Sequence, residues 1–207
     1  MIIAVDGPTA SGKGTIAKAL AAHFGLPHLD TGLLYRAVGY TVMRNGGNPD
    51  EEADGVAACH FPDELLLDPE LRSEATGGLA SRVSVHPAVR QALFEHQRDF
   101  ATQDGGAVLD GRDIGTVIAP DADVKLFVTA TTAERAARRF AEMRDSGREV
   151  TLESIVADLE ARDARDKGRD SAPLTVAEDA FVLDTTEMHR DEAIAAAIAA
   201  VENARTS

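Results

Sequence analysis

The run Gly7-Pro8-Thr9-Ala10-Ser11-Gly12-Lys13-Gly14-Thr15 follows directly on the apolar Ile2-Ile3-Ala4-Val5 and leads into a stretch rich in Ala, Leu and Ile. A strand that feeds a glycine-rich turn and then a helix brings backbone N–H groups together on an anion, and the helix N-terminus adds the positive end of its dipole. Such a loop cradles the phosphates of a nucleoside triphosphate: the residues from Gly7 to Thr15 surround them, and Lys13 reaches the β- and γ-phosphates. A hydroxyl near the helix start meets Mg2+. It commonly follows the lysine directly; here Gly14 intervenes and Thr15 supplies it. The competing reading is an ordinary strand–turn–helix with a lysine facing water.

Three further constellations could take part. Val108-Leu109-Asp110 is an apolar run ending in a carboxylate, which suits an aspartate near Mg2+ or, more plainly, one that closes a strand into a turn. Arg112 and Asp113 follow at once: the guanidinium could grip a phosphate bidentately, and the carboxylate suits a donor on a sugar or base. In Leu29-Asp30-Thr31-Gly32-Leu33-Leu34-Tyr35-Arg36, Thr31 and Tyr35 are one helical turn apart and can face one side. Thr31 is equally suited to cap the helix, and Arg36 to face solvent. Finally, Arg162, Arg165 and Arg169 recur at i, i+3 and i+7 around Asp166, and Arg135, Arg138 and Arg139 form a second basic set. Repeated arginines neutralise the charge that builds on a transferring phosphoryl group. Gly147 breaks the chain between the sets, so a helix–turn–helix flap that excludes water is expected.

The elements needed to hold these groups are legible as an alternation. Apolar runs at residues 2–5, 108–109, 124–128 and 181–183, with a weaker one at 28–29, suggest buried parallel strands. Helical patterns cover roughly 13–24, 33–44, 89–102, 133–144, 152–165 and 191–204, and Thr131-Thr132-Ala133-Glu134 offers a capping box for the fourth. Alternating strands and helices imply an α/β fold, a parallel sheet with helices on both faces and ligands beyond the carboxyl ends of its strands. The glycine-rich loop, Asp30 and Asp110 to Asp113 all fall at such ends. Residues 46–87 differ: the turn cluster 45–50, Phe61-Pro62, Asp68-Pro69 and Gly77-Gly78 point to an irregular, partly helical excursion.

Composition bounds the function. The 207 residues, 44% of them hydrophobic, suffice for one well-cored domain with a smaller excursion. A net charge of −14 argues against a nucleic-acid surface, yet eleven of the 21 Lys and Arg residues fall between positions 112 and 169, as if to hold a small anion. A solvated, salt-bridged helix face is the alternative for these. Cys59 is the only cysteine, so no internal disulfide is expected and a cytoplasmic location fits. No run is long enough to cross a bilayer, and because the chain enters a strand at once no leader is expected.

Taken together these residues resemble the cytidylate kinases, bacterial nucleoside-monophosphate kinases that phosphorylate CMP and dCMP. The likeness extends to about Thr186. It rests on the phosphate loop, on Asp30 to Arg36, on Asp110-Gly111-Arg112-Asp113-Ile114-Gly115-Thr116-Val117, on Arg162 to Arg169 with Ala172-Pro173-Leu174, and on Leu183-Asp184-Thr185-Thr186. The resemblance implies a P-loop kinase core (1–45, 88–130 and 175–207), a small subdomain for the nucleoside monophosphate (about 46–87) and a helical lid (about 145–172). It implies ATP as co-substrate, CMP or dCMP as acceptor, and a monomer. Thr31, Tyr35 and Arg36 would then contact the acceptor, and Arg90 and Arg112 would hold its phosphate. Asp113 and Arg169 would engage cytosine or sugar, Asp166 would read the sugar hydroxyls, and Arg135, Arg139, Arg162 and Arg165 would surround the phosphates from the lid. Family members usually carry an antiparallel hairpin in the acceptor subdomain; here only residues 65–70 precede Leu71-Arg72, so that hairpin is expected to be cut short.

Phosphoryl transfer from ATP to CMP or dCMP is therefore the expected reaction, with another acceptor such as UMP or AMP as the alternative. A regulatory GTPase shares the loop but would need Asp-x-x-Gly and Asn-Lys-x-Asp, and the chain has neither.

Overall fold

Alternate residues of a strand face opposite ways, and the first strand shows how this gives the sheet two cores. The computed structural model describes residues 1–145 and 147–206; Ser146, within the expected lid, and Ser207, at the end of the expected core, lie outside the described residues. In β1 (Ile3–Asp6), Ile3 and Val5 pack on α1 (Lys13–Phe24) and α8 (Arg190–Thr206), meeting Leu20, Ala197 and Val201. Ala4 turns the other way, into a cluster with Leu109, Ile114, Ile118 and Ala101 of α5 (Pro87–Thr102). A strand buried on both faces must be apolar throughout, which is why β1 reads as an unbroken hydrophobic stretch; the run at 181–183, expected to be buried, lies at the sheet edge and leaves Phe181 and Val182 half exposed.

Five strands, all parallel, are ordered β2-β3-β1-β4-β5, with β2 at His28–Asp30, β3 at Val108–Gly111, β4 at Val124–Thr129 and β5 at Phe181–Asp184. The register aligns Asp30 with Asp110, and Val5 with Asp110, so the ends of β1, β2 and β3 discharge their polar residues at one edge. The expected α/β architecture is present, and the ends of the expected helices and strands fall within two residues of the observed ones.

Residues 46–87 are more ordered than expected. They hold α3 (Glu52–Ala57), two short 3-10 turns (Asp63–Leu67 and Pro69–Arg72) and α4 (Glu74–Val83), with no strand among them, so the hairpin is indeed absent. Gly77-Gly78, expected to break the chain, lies inside α4. Ser73 starts that helix by accepting the N–H of Thr76 at 3.2 Å, and packing against α2 (Thr31–Arg44) sustains it despite the glycines. A Cβ on Gly39 would lie 2.7 Å from Leu79 Cβ and 2.9 Å from its carbonyl carbon. Gly39→Ala should therefore cost about 1–3 kcal/mol, whereas Gly78→Ala, which meets nothing within 4 Å, should be neutral or stabilising. Urea denaturation of both variants checks this, and equal midpoints would refute the close approach.

The chain between β4 and β5 forms a hairpin of α6 (Thr132–Asp145) and α7 (Leu152–Lys167). Ala136, Met143, Ile155 and Leu159 form its own small core, against which Ala10 of the glycine-rich loop packs. Thr131 Oγ1 accepts the N–H of Glu134 at 3.3 Å, one half of the expected capping box. No described helix is long and apolar enough to cross a membrane.

Candidate active site

A cleft of about 690 Å³ opens beyond the carboxyl ends of β1, β2 and β3. The glycine-rich loop forms one wall. Gly7, at φ 154°, must lack a side chain because a Cβ would sit 2.0 Å from the Val128 carbonyl oxygen of β4. Gly12, in the left-handed region at φ 90°, turns the chain into α1. Thr9, Ala10, Ser11, Gly12, Lys13, Gly14 and Thr15 line the cleft, whereas Gly7 and Pro8 do not. Lys13 Nζ donates to the Pro8 carbonyl at 3.2 Å. Burial, and then Arg112, push its pKa down to about 8, while Asp110, Asp30 and Asp166 pull the other way.

Beside it two carboxylates crowd together. Asp110 is buried, with Oδ2 2.8 Å from His28 Nε2, and burial followed by the Asp110 charge raises the pKa of Asp30. Asp110 Oδ1 faces the loop, 3.8 Å from where a Cβ on Gly14 would stand. Mg2+ binds through one or two carboxylates and keeps water and phosphate oxygens as its other ligands. Asp110 and the cleft-lining Thr15 fit that requirement, although no group of three or more potential metal-binding side chains occurs among the described residues.

The opposite wall is arginine-rich and internally neutralised. Thr31 is the first residue of α2, not its cap, a position held by Asp30; its hydroxyl donates to the Asp110 carbonyl at 2.9 Å. Arg90 pairs with Asp113, donates to the Ser84 carbonyl at 3.3 Å and lies 5.5 Å from the ring centre of Tyr35. Arg36 donates to the carbonyls of Leu71 and Ser73, both at 2.8 Å, so it fastens the 3-10 segment as well as lining the cleft. Arg112 bridges the site, donating from Nε to Asp166 at 2.7 Å and from Nη2 to Thr9 Oγ1 at 2.7 Å. Asp166 also accepts from Arg169; burial alone would raise its pKa, but the two guanidinium groups outweigh that and hold it below the usual carboxylate range.

The flap arginines divide. Arg139 and Arg162 line the cleft, and both pair with Glu74. Arg135 does not line it: its guanidinium donates to the carbonyls of Thr9 and Ala130, to Thr132 Oγ1 and to Asp163, clasping the phosphate loop to the hairpin. Arg165 also lies off the cleft wall, donating to Ser81 Oγ at 3.0 Å. Arg138 does line it, near Gly12, and donates to the Thr185 carbonyl and hydroxyl. His28, Asp6 and Glu74 were not singled out from sequence. Asp6 alone left a trace, as a carboxylate ending the strand just before the loop.

The family model described as cytidylate kinase matches residues 3–203. A cytidylate kinase of Caulobacter sp. (strain K31) is 54% identical over 99% of this chain and 95% of its own length. Another, of Azorhizobium caulinodans, is 54% identical over 99% of this chain and 100% of its own. Among solved structures, an uncharacterized protein of Eubacterium ventriosum superposes with a TM-score of 0.57 at 15% identity, covering 98% of both chains, a likeness of fold alone.

Proposed function

Because the chain belongs to the cytidylate kinase family, we propose that it transfers the γ-phosphoryl group of ATP to CMP or dCMP, giving ADP and CDP or dCDP. The observation that carries this reading is the convergence on one cleft of a phosphate loop and a wall of arginines, with Arg112 reaching from Thr9 to Asp166 between them.

The acceptor phosphate is already an anionic nucleophile, so the protein needs no strong base; it must align two phosphates and neutralise charge. The loop from Gly7 to Thr15 would hold ATP, with Lys13 on the β- and γ-phosphates. Mg2+, held by Thr15 and Asp110, would supply further neutralisation of the phosphate charge. Arg90 and Arg112 would take the acceptor phosphate, Asp113 and Arg169 the base or sugar, Asp166 the sugar hydroxyls, and Thr31, Tyr35 and Arg36 would complete the acceptor wall. Arg139 and Arg162, with Arg135 and Arg165 behind them, would bring the lid (about 145–172) onto the phosphates. The carboxylates that now neutralise these arginines would exchange them for phosphate as the lid and the subdomain (about 46–87) close. A cytoplasmic monomer fits this scheme.

An ATP-coupled assay with Mg2+ against CMP, dCMP, UMP, AMP and GMP tests it. Preference for CMP and dCMP is expected. Equal turnover of UMP or AMP would mean that the subdomain without its hairpin does not select cytosine, and nucleotide binding without acceptor-dependent turnover would indicate a switch instead. Arg112→Ala should raise the KM for CMP more than that for ATP; the reverse order would remove Arg112 from the acceptor site.

A further inference from the structure

Glu74 stands at the start of α4, in a stretch where the sequence shows no chemistry, yet it holds two of the cleft arginines at once. Its Oε2 accepts from Arg139 Nε at 2.9 Å and from Arg139 Nη2, and its Oε1 accepts from Arg162 Nη2. The remaining nitrogen of Arg139 donates to Glu142 at 3.0 Å, so all three are engaged. Arg162 Nε lies 2.8 Å from Asp158, an ion pair without hydrogen-bond alignment. Burial alone would raise the pKa of Glu74, but the two guanidinium groups outweigh it and keep the carboxylate ionised. Helices α4 and α7 meet again where Arg165 donates to Ser81.

We propose that Glu74 is a latch of the nucleotide-free state: its carboxylate occupies the guanidinium groups of Arg139 and Arg162, ties the α6–α7 hairpin to α4, and is displaced by the phosphates of the bound nucleotides. This rests on the assignment of those arginines to the phosphoryl-transfer centre. Glu74 takes the Nε–Nη2 edge of Arg139, so a phosphate can be gripped bidentately along that edge only after the exchange. A phosphate carries more charge and one more oxygen than a carboxylate, so it wins the arginines once the loop anchors it. Glu74, with its side chain 26% exposed and at a helix N-terminus, can turn to water near the positive end of the dipole. The latch therefore opposes binding of both nucleotides and leaves the assembled transition state unchanged, the signature of which is a shift in KM without one in kcat.

The test is Glu74→Gln, which keeps shape and removes charge. KM values for ATP and CMP, and the Kd of an adenosine–cytidine dinucleoside pentaphosphate, should fall roughly fivefold, with kcat within about twofold. Hydrogen exchange in α6 and α7 should quicken without nucleotide and match the wild type with the pentaphosphate bound. Glu142→Gln, which removes only the outer partner of Arg139, should leave exchange in α7 unchanged. A large loss of kcat at unchanged KM would overturn the proposal, because Glu74 would then support the arginines during transfer; so would unchanged exchange and KM. Absence of acceptor-dependent turnover in the wild type would sink the proposed reaction, but exchange in the variant would still report whether the latch exists.

Discussion

Lys13→Ala is expected to lower kcat with CMP by a factor on the order of 10²–10³, the usual cost of removing one charged group aimed at a developing oxyanion. Lys13 is the only cation that the glycine-rich loop itself supplies, and it sits beside Asp110, Asp30 and Asp166 with its pKa depressed to about 8, chiefly by burial. Nucleotide phosphate adds negative charge at this point and restores the preference for the ammonium form. Arg112, the next cation, is tied to Thr9 and Asp166 and cannot replace it without abandoning both. Steady-state kinetics decide the matter: near-normal kcat would remove Lys13 from the transfer step, and a rise in KM for ATP alone would reduce it to a binding role.

Asp6→Asn is expected to flatten the pH dependence of stability. The Asp6 carboxylate ends β1 beneath the five-residue π-helical turn Ile114–Ile118 and accepts the N–H groups of Ile114 at 2.9 Å and Gly115 at 2.8 Å. Burial, only partly offset by those N–H groups, raises its pKa to about 6. A carboxyl group with a raised native pKa favours the folded state when protonated, so its contribution is complete below the unfolded value of about 4 and is lost as pH rises through 6. The loss amounts to about 3 kcal/mol between pH 4 and 7. The asparagine variant does not ionise, and the wild-type-minus-variant stability should fall by that amount over the same interval. Denaturation at pH 4, 5, 6 and 7 reads this directly, and an unchanged difference would assign the titration to another group. Asparagine accepts at one oxygen only, so one N–H of the turn loses its partner. The turn follows Arg112 and Asp113, and KM for CMP should rise with it.

The two residues illustrate how differently a site is written into a chain. Lys13 is recognisable because its chemistry is local: a strand, a glycine turn and a helix start lie within fifteen residues, and the backbone geometry they impose is the binding site. The same holds for Asp110, Arg112 and Asp113, which end an apolar run. The role of Asp6 depends on a turn more than a hundred residues away in sequence. No local pattern encodes that.

Local periodicity and turn chemistry thus determined the alternation of strands and helices, the phosphate loop and the family of this protein, because each depends on neighbours a few residues apart. The tertiary structure decided the rest. Parallel register brought Asp30 and Asp110 together beside Lys13. Packing of Gly39 on Leu79 made a helix of a segment that its glycines should have broken. The hairpin separated Arg139 and Arg162, which face the cleft, from Arg135, which is spent on clasping the phosphate loop, although all three look alike in sequence. Glu74 acquired its partners only when α4 met that hairpin. Side-chain chemistry at a site is set by what lies across the cleft, and that is fixed by the long-range burial of apolar faces.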